Sequence, residues 1–187
     1  MEIHPCEGVG SFLTYEISTM NWICSNLLQR DPYENQMIEV MGSGLDMAGE
    51  GVFAKKDLLP EIVVAFYNGV RIPADAGDED DNWEDCSYRI FVEIDEDATD
   101  IECENRERMD MPEEYRSLDK YCATLAHKIN HSFNPNCRFG KFHHPIFGPI
   151  PSVITTQFIP KGTELFCYYK YLLDDCPQWY ADLWESK

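Results

Sequence analysis

Four short segments of the sequence hold side chains that could bind or transform a ligand. They are the glycine-flanked Glu50, Tyr67 at the end of an apolar run, the polar loop Asn130–Cys137, and the tyrosines Tyr169 and Tyr171. Glycine lets a backbone approach a ligand closely. Asparagine and histidine offer donors and acceptors to the edge of a heterocycle. Tyrosine hydroxyls can orient an amine inside an aromatic channel, so the segments indicate a ligand site built from backbone, amide and phenol groups.

Each segment also has a purely structural interpretation. A Gly-x-Gly sequence is common in tight turns, because glycine reaches positive φ at little cost. Asn130 and His131 would satisfy the backbone of an irregular loop. A single tyrosine on a strand is most often a core aromatic with a hydrogen-bonded hydroxyl. The order of all four segments along one chain is what favours a functional site.

Cysteine spacing and composition exclude several classes of protein. The eight cysteines are never closer than nine positions apart, so there is no Cys-x-x-Cys half-site for zinc. No apolar run approaches the roughly 18 residues of a membrane span, and the N-terminus lacks the pattern of a signal peptide. We therefore expect a soluble intracellular protein with reduced thiols and no metal.

The negative charge is concentrated in one stretch of the chain. The net charge is −19, and 19 of the 34 Asp and Glu residues lie between Asp75 and Asp119. Such a field repels phosphate backbones and attracts cationic partners. Direct nucleic-acid binding is therefore disfavoured and a basic protein partner is favoured, with a solvated acidic loop as the alternative.

Short β-strands should position the polar segments. Alternating or β-branched runs predict strands at Met37–Val40, Ile62–Tyr67, Tyr88–Ile94, Ser152–Thr156 and Glu164–Tyr169. Helical spacing predicts a helix over Tyr115–Lys128, and Pro177–Glu185 has the start signal of a second one. The segment Asn130–Cys137 is too rich in Pro, Asx and Ser for regular structure. The pattern is that of a mainly β fold.

Together the motifs resemble the SET-domain protein-lysine methyltransferases. The segments that carry this resemblance are AGEGVFAK (Ala48–Lys55), AFYNGVRI (Ala65–Ile72), DKYCATLAHKINHSFNPNC (Asp119–Cys137) and HPIFGPI (His144–Ile150). Within the family, the sequence is most similar to the members that carry MORN repeats ahead of the SET domain and monomethylate a lysine of histone H3. The chain is too short to hold the repeats, so we expect the catalytic domain alone.

The resemblance implies a fold and a domain organisation. It covers the chain from about Asp31 to the C-terminus and implies several small β-sheets, a knot-like crossing of C-terminal loops and a short C-terminal helix. We expect a lead-in segment at 1–30, the SET domain at 31–173 and a helical segment at 174–187 that closes the site.

The resemblance also implies an activity and a cofactor. S-adenosylmethionine would donate a methyl group to a lysine amine of a histone tail or another basic protein, in the nucleus and also in the cytoplasm. The free amine has a pKa of ~10.4 and must lose its proton. A dry aromatic channel next to a sulfonium cation lowers that pKa by desolvation and by charge.

Individual roles follow from the residues that match the family motifs. Cofactor contacts fall on Ala48, Gly49, Glu50, Tyr88, Asn130, His131 and Trp179. Catalytic roles fall on Tyr67, His131, Tyr169 and Tyr171, and the substrate channel is formed by Tyr67, Trp83, Phe139, Tyr169 and Tyr171.

Five positions depart from the pattern of the most similar relatives. Phe139 replaces a channel tyrosine, Tyr88 an asparagine, Pro151 a substrate-orienting lysine, Leu183 a glutamate that contacts the cofactor, and Arg89 a small hydroxyl residue that meets the peptide. Loss of a channel hydroxyl predicts methylation beyond the first methyl group. The alternative functions are a SET-fold module that binds basic peptides or histones without methyl transfer, and a chromatin-associated scaffold that uses only its acidic face.

Overall fold

Short strands make up most of the regular structure. The computed structural model describes residues 21–22, 26–73, 88–92, 107–170, 178 and 181–182. Within these ranges the strands are β1 Asn21–Trp22, β2 Ile38–Gly42, β3 Glu50–Ala54, β4 Val63–Phe66, β5 Val70–Ile72, β6 Ile90–Phe91, β7 Arg108–Asp110, β8 Asn130–His131, β9 Cys137–His144, β10 Gly148–Thr155 and β11 Glu164–Cys167. The helical segments are α1 Glu34–Met37 and the 3-10 turns Glu113–Tyr115 and Ala126–Lys128.

The strands form two sheets in the described part of the chain. The larger sheet has the order β2-β3-β11-β9-β10-β4, with β8 added alongside β11, and the smaller sheet has the order β1-β5-β7-β6. Strand β11 is antiparallel to β3 and parallel to β8 and β9. This pairing brings the Gly-x-Gly segment, the Asn130–His131 strand and the start of the tyrosine segment next to one another.

One main apolar cluster supports the larger sheet. Its fully buried members include Ile38, Val52, Leu58, Val64 and Leu165. A second, smaller cluster consists of Met111, Tyr121 and Ala123, with the partly buried Leu27, Tyr88 and Tyr115 packed against it. We call this second group the small-sheet cluster. Met111 directly follows β7 of the smaller sheet, and the cluster contacts the site described below through Tyr88.

The segment Asp31–Glu34 anchors the start of the domain through buried polar groups. The Asp31 carboxylate accepts the backbone N–H of Tyr33 (3.0 Å) and of Glu34 (2.8 Å) at the start of α1. Its other oxygen lies 3.2 Å from Nε2 of His144. Nδ1 of His144 accepts two backbone N–H groups of the following turn, so Nε2 carries the proton and donates to Asp31. This contact ties α1 to the turn between β9 and β10.

Four of the five strand predictions are confirmed by β2, β4, β10 and β11. Of the predicted strand Tyr88–Ile94 only Ile90–Phe91 is a strand, and residues 93 and 94 lie outside the described ones.

One helix prediction is wrong. The segment Tyr115–Lys128 is not a helix: it holds the last residue of one 3-10 turn and the whole of a second one, Ala126–Lys128. Tertiary partners bind the backbone groups that a helix would use: Cys122 N–H donates to Leu27 (2.8 Å) and Leu125 N–H to the Glu34 carboxylate (3.0 Å). The helical spacing of its apolar residues reflects burial on both clusters.

Two other segments differ from expectation in detail. The loop from 130 to 137 begins with the two-residue strand β8 and ends at the first residue of β9, a strand that the sequence patterns did not indicate. Of the predicted C-terminal helix, Gln178, Ala181 and Asp182 are helical and the rest lies outside the described residues. The domain boundaries at 31 and 173 stay predictions. No described helix is long and apolar enough to cross a membrane.

Candidate active site

The Gly-x-Gly segment forms one wall of the candidate site. The loop that precedes it is closed by a hydrogen bond from Ser43 N–H to the Gly49 carbonyl (2.8 Å). Gly49 has a φ of +71°, and a side chain there would meet no atom within 4 Å. The backbone at Ala48–Glu50 therefore borders open space in the described structure, as a ligand that contacts main-chain groups requires.

Glu164 organises this loop from beneath. Its carboxylate accepts the Ser43 hydroxyl (2.7 Å), the Gly44 N–H (2.8 Å) and the Asn130 side-chain amide (3.1 Å). A Cβ at Gly51 would collide with the same carboxylate. The second glycine of the Gly-x-Gly segment is thus required because a buried glutamate occupies the space of its side chain.

The side-chain amide of Asn130 holds the loop in place. Its Nδ2 donates to the Glu50 carbonyl (2.9 Å) as well as to Glu164. Glu50 itself forms an ion pair with Lys128 (2.7 Å), the residue two positions before Asn130. The contacts of Asn130 Nδ2 are therefore those of a residue that holds a loop in place, as the structural interpretation of Asn130 predicts. Its predicted role at the cofactor stays a prediction, as does that of Glu50.

His131 supports Tyr169. The Tyr169 N–H donates to Nδ1 of His131 (3.0 Å), and the two ring centroids lie 5.4 Å apart. Nδ1 also lies 3.3 Å from the Cys167 carbonyl. An amide N–H can only donate, so Nδ1 is the acceptor and Nε2 carries the proton. Burial lowers the pKa of His131, which keeps the ring neutral.

Two tyrosine hydroxyls converge from different strands. Tyr67, directly after β4, donates to the Tyr88 carbonyl (2.5 Å), and Tyr169, after β11, donates to the Ile129 carbonyl. Burial raises the pKa of Tyr67 well above its ordinary value, and a charge on Tyr169 would raise it further. Tyr67 is therefore a neutral hydroxyl whose oxygen keeps lone pairs for another donor.

Phe139 and Tyr88 complete the described surroundings of the tyrosines. The Phe139 and Tyr169 ring centroids lie 5.8 Å apart, so Phe139 contributes an apolar wall without a hydroxyl. Tyr88 meets Tyr67 through its backbone carbonyl, while its ring packs on the small-sheet cluster. Pro151 accepts the Tyr67 N–H at its carbonyl (2.9 Å), a contact that any residue could make.

The remaining site predictions lie outside the described residues. These are Trp83, Tyr171, Trp179 and the substituted Leu183. The described structure therefore brings together Tyr67, Phe139, Tyr169, His131 and the backbone carbonyl of Tyr88. The Gly-x-Gly wall on β3 lies on the same side of β11 as Asn130 and His131 of β8, and β9 with Phe139 lies on the opposite side.

Sequence reasoning did not identify three buried polar residues. The sequence patterns indicate Glu164 only as the start of a strand and assign no role to Glu34. Asn136 binds two backbone groups of β11, donating to the Glu164 carbonyl and accepting the Phe166 N–H, both at 2.8 Å. The rarity of the NHSFNPNC sequence was the only signal for Asn136. No local signal marks Glu34 or Glu164, since glutamate is mostly exposed.

Comparison with known proteins identifies the family. The SET-domain family model matches residues 49–170. The chain belongs to the SET-domain family. Over 173 residues it is 39% identical to the histone-lysine N-methyltransferase SETD7 of Halocynthia roretzi, a match that covers 88% of this chain and 42% of the relative. The chain thus spans less than half the length of that relative, and the family resemblance drawn from the motifs is confirmed.

Solved structures confirm the fold. Polycomb Repressive Complex 2 of Chaetomium thermophilum bound to GSK126 matches with a TM-score of 0.51 and 20% identity over 80% of this chain and 17% of that chain. The ctPRC2 structure in an autoinhibited conformation bound to S-adenosylmethionine gives a TM-score of 0.51 and 21% identity, over 81% and 17%. The mainly β SET fold predicted from the sequence is therefore confirmed.

Proposed function

We propose that this SET domain transfers a methyl group from S-adenosylmethionine to the side-chain amine of a lysine in a protein. The observation that carries the proposal is the pair Tyr67 and Tyr169: burial raises the pKa of Tyr67, a charge on Tyr169 would raise it further, and each tyrosine directs its hydroxyl proton at a backbone carbonyl. The identity of 39% to a histone-lysine N-methyltransferase supports the same activity.

The residues near the Gly-x-Gly wall fit such a cofactor. Open space beside Gly49 leaves room for a ligand against the main chain, and the backbone of Ala48, Gly49 and Glu50 would hold its amino-acid part. Asn130 and His131, on β8, would contribute at the nucleoside part. When bound, S-adenosylmethionine supplies an electrophilic methyl group on a sulfonium centre.

The tyrosines would orient the amine. Because Tyr67 and Tyr169 donate their protons to carbonyls, their oxygens can accept hydrogen bonds from the lysine N–H groups and so direct its lone pair. The raised pKa of Tyr67 excludes it as a general base near neutral pH. Desolvation by the aromatic walls lowers the pKa of the amine, so that the ammonium group can give its proton to solvent water before it reacts.

The proposed substrate is a basic protein such as a histone tail, which places the protein in the nucleus. The net charge of −19 supports a cationic partner. Phe139 offers no hydroxyl to retain a water molecule against the amine, which supports products beyond monomethyl-lysine.

Incubation with labelled S-adenosylmethionine and a panel of histones and other basic proteins tests the proposal. We expect label in one or more histones and a loss of about a hundredfold in kcat for Tyr169→Phe, because a positioned hydroxyl acts on the reacting amine. Tyr168→Phe, which alters the exposed neighbouring tyrosine, is the matched control. Mass spectrometry of the product gives the degree of methylation.

Two outcomes would contradict the proposal. Cofactor binding by calorimetry without transfer to any protein would indicate the non-catalytic module. Equal activity of the Tyr169→Phe variant and the native chain would remove the chemical basis of the site.

A further inference from the structure

Tyr88 connects the tyrosine pair to the small-sheet cluster. Its backbone carbonyl accepts the hydroxyl of Tyr67. Its ring packs on the buried cluster of Met111, Tyr121 and Ala123. Regular pairing of this segment with β7 starts only at Ile90, which pairs with Met109. The contacts of the Tyr88 ring therefore bear directly on the position of the Tyr88 carbonyl.

Arg116 lies over the ring of Tyr88. The guanidinium carbon lies 4.5 Å from the centroid of the Tyr88 ring, within the range of a cation–π contact. The aromatic ring thus contacts both a planar cation and an apolar cluster. Such an arrangement restricts both translation of the ring and rotation of the adjoining peptide.

Arg116 is itself fixed by the backbone around it. It directly follows the 3-10 turn Glu113–Tyr115, and its N–H donates to the Glu113 carbonyl (3.2 Å). Its side-chain Nε donates to the carbonyl of Met111 (3.3 Å), a residue with no exposed surface. The guanidinium therefore has a defined place over Tyr88.

We propose that Arg116 is a positioning residue for the lysine channel, which it affects by keeping the Tyr88 carbonyl beneath the hydroxyl of Tyr67. The proposal rests on the proposed function. With its proton fixed on that carbonyl, the Tyr67 oxygen presents its lone pairs in one direction to the incoming amine. Without Arg116, the Tyr88 peptide gains freedom and the Tyr67 hydroxyl loses its fixed orientation.

Kinetics of Arg116 variants test the effect on the reaction. We expect Arg116→Met to lower kcat about three- to fivefold, the value of one cation–π contact, with little change in KM. Arg116→Lys should retain part of the activity, because it keeps the charge but not the planar group. Arg138→Met is the matched control, since Arg138 is half-exposed and pairs with Glu61 on the surface.

A double variant separates positioning from a general loss of stability. In a Tyr67→Phe background there is no hydroxyl to orient, so adding Arg116→Met should lower kcat no further. A second loss of three- to fivefold in that background would overturn the proposal, because it would show an effect that does not pass through Tyr67.

A spectroscopic measurement distinguishes failure of this inference from failure of the proposed function. In protein labelled with 13C at tyrosine Cζ, the Tyr67 signal is assigned by its loss in Tyr67→Phe. Arg116→Met should shift that signal and Arg138→Met should not. If the shift occurs but the native chain transfers no methyl group, positioning stands and the proposed activity fails. If the native chain is active and the signal and kcat are both unchanged in Arg116→Met, the positioning role is wrong.

Discussion

Two buried glutamates organise opposite sides of the site in different ways. Glu34 is 1% exposed, and a single oxygen accepts the backbone N–H of Phe66 (2.9 Å) and of Leu125 (3.0 Å). Glu164 is 7% exposed and uses both oxygens, which accept a hydroxyl, a backbone N–H and a side-chain amide. Burial raises the pKa of Glu34 to about 8, although its two amide hydrogen bonds lower it.

The two carboxylates differ in the groups that donate hydrogen bonds to them. The partners of Glu34 are main-chain groups directly before Tyr67 and four residues before Ile129, the residue that anchors the Tyr169 hydroxyl. Those of Glu164 are Ser43 and Gly44 of the loop before the Gly-x-Gly segment, and Asn130. We conclude that Glu34 fixes the tyrosine side of the domain through its core, and that Glu164 fixes the Gly-x-Gly wall.

Removing the Glu164 carboxylate should have the largest effect. Glu164→Ala leaves the donors of Ser43, Gly44 and Asn130 without their acceptor and opens a cavity. We expect a loss of about 4 kcal/mol in the free energy of unfolding, measured with urea. Calorimetry at low temperature, where the variant is folded, should show at least a tenfold weaker affinity for S-adenosylmethionine.

Glu61→Ala is the control for this comparison. Glu61 is largely exposed and pairs with Arg138 (3.0 Å), so its loss should cost less than about 1 kcal/mol. If Glu164→Ala lost stability but bound S-adenosylmethionine as tightly as the native chain, Glu164 would have only the structural role that Glu34 has.

Crowding the Glu164 carboxylate should have a smaller effect. In Gly51→Ala the new methyl group meets that carboxylate, which must move away from the loop. We expect a cost of about 2 kcal/mol by urea unfolding. Gly42→Ala is the matched control, because a side chain there meets nothing within 4 Å.

A second substitution tests whether the contact between residue 51 and the Glu164 carboxylate causes this cost. The shorter side chain of Glu164→Asp leaves room for the methyl group, so Gly51→Ala should cost less in that background than in the native one. Strictly additive losses would mean that the two residues do not interact, and that the glycine is required for another reason.

Local pattern was sufficient for the strands that position the site. The β-branched run before Tyr67 and the apolar, aromatic run after Glu164 are typical of strands, and both form them. The helix over Tyr115–Lys128 failed because its apolar spacing serves two clusters while its backbone binds partners distant in sequence. The spacing of apolar residues shows which side chains are buried. It does not show which groups the backbone N–H and C=O of the segment bind.

The residues predicted to contact a ligand stand in recognisable motifs, whereas those that support them do not. Tyr67, Tyr169 and His131 stand in recognisable motifs, and the structure brings them together. Glu34, Glu164 and Arg116 act through contacts with residues that are 5 to 121 positions away. Such a side chain is buried because the fold brings distant segments together around it. The residues next to it in the sequence do not reveal this, since glutamate and arginine are mostly exposed.

The pH dependence of stability gives the subtlest contrast between the two glutamates. The native state favours protonated Glu34, with a pKa of about 8 against the ordinary 4.5, so its contribution is complete below pH 4.5 and is lost as pH rises through 8. Between pH 6.5 and 8 the free energy of unfolding should fall by about 2 kcal/mol. In Glu34→Gln, whose amide oxygen still accepts both N–H groups, this slope should disappear.

Between pH 6.5 and 8 the effect of Glu34 on stability can be distinguished from that of the buried histidines, because the two have opposite signs. Burial lowers the pKa of His127 to about 3 and also lowers that of His131. Their contribution is lost as pH falls through 6.5, which is the opposite sign, so they oppose the Glu34 slope only at the lower end of this range. Urea unfolding of the native chain, Glu34→Gln and Glu164→Gln at pH 6.5, 7.2 and 8 makes the comparison. A slope that persisted in Glu34→Gln would show that another group loses its proton there, and that the core carboxylate is already ionised.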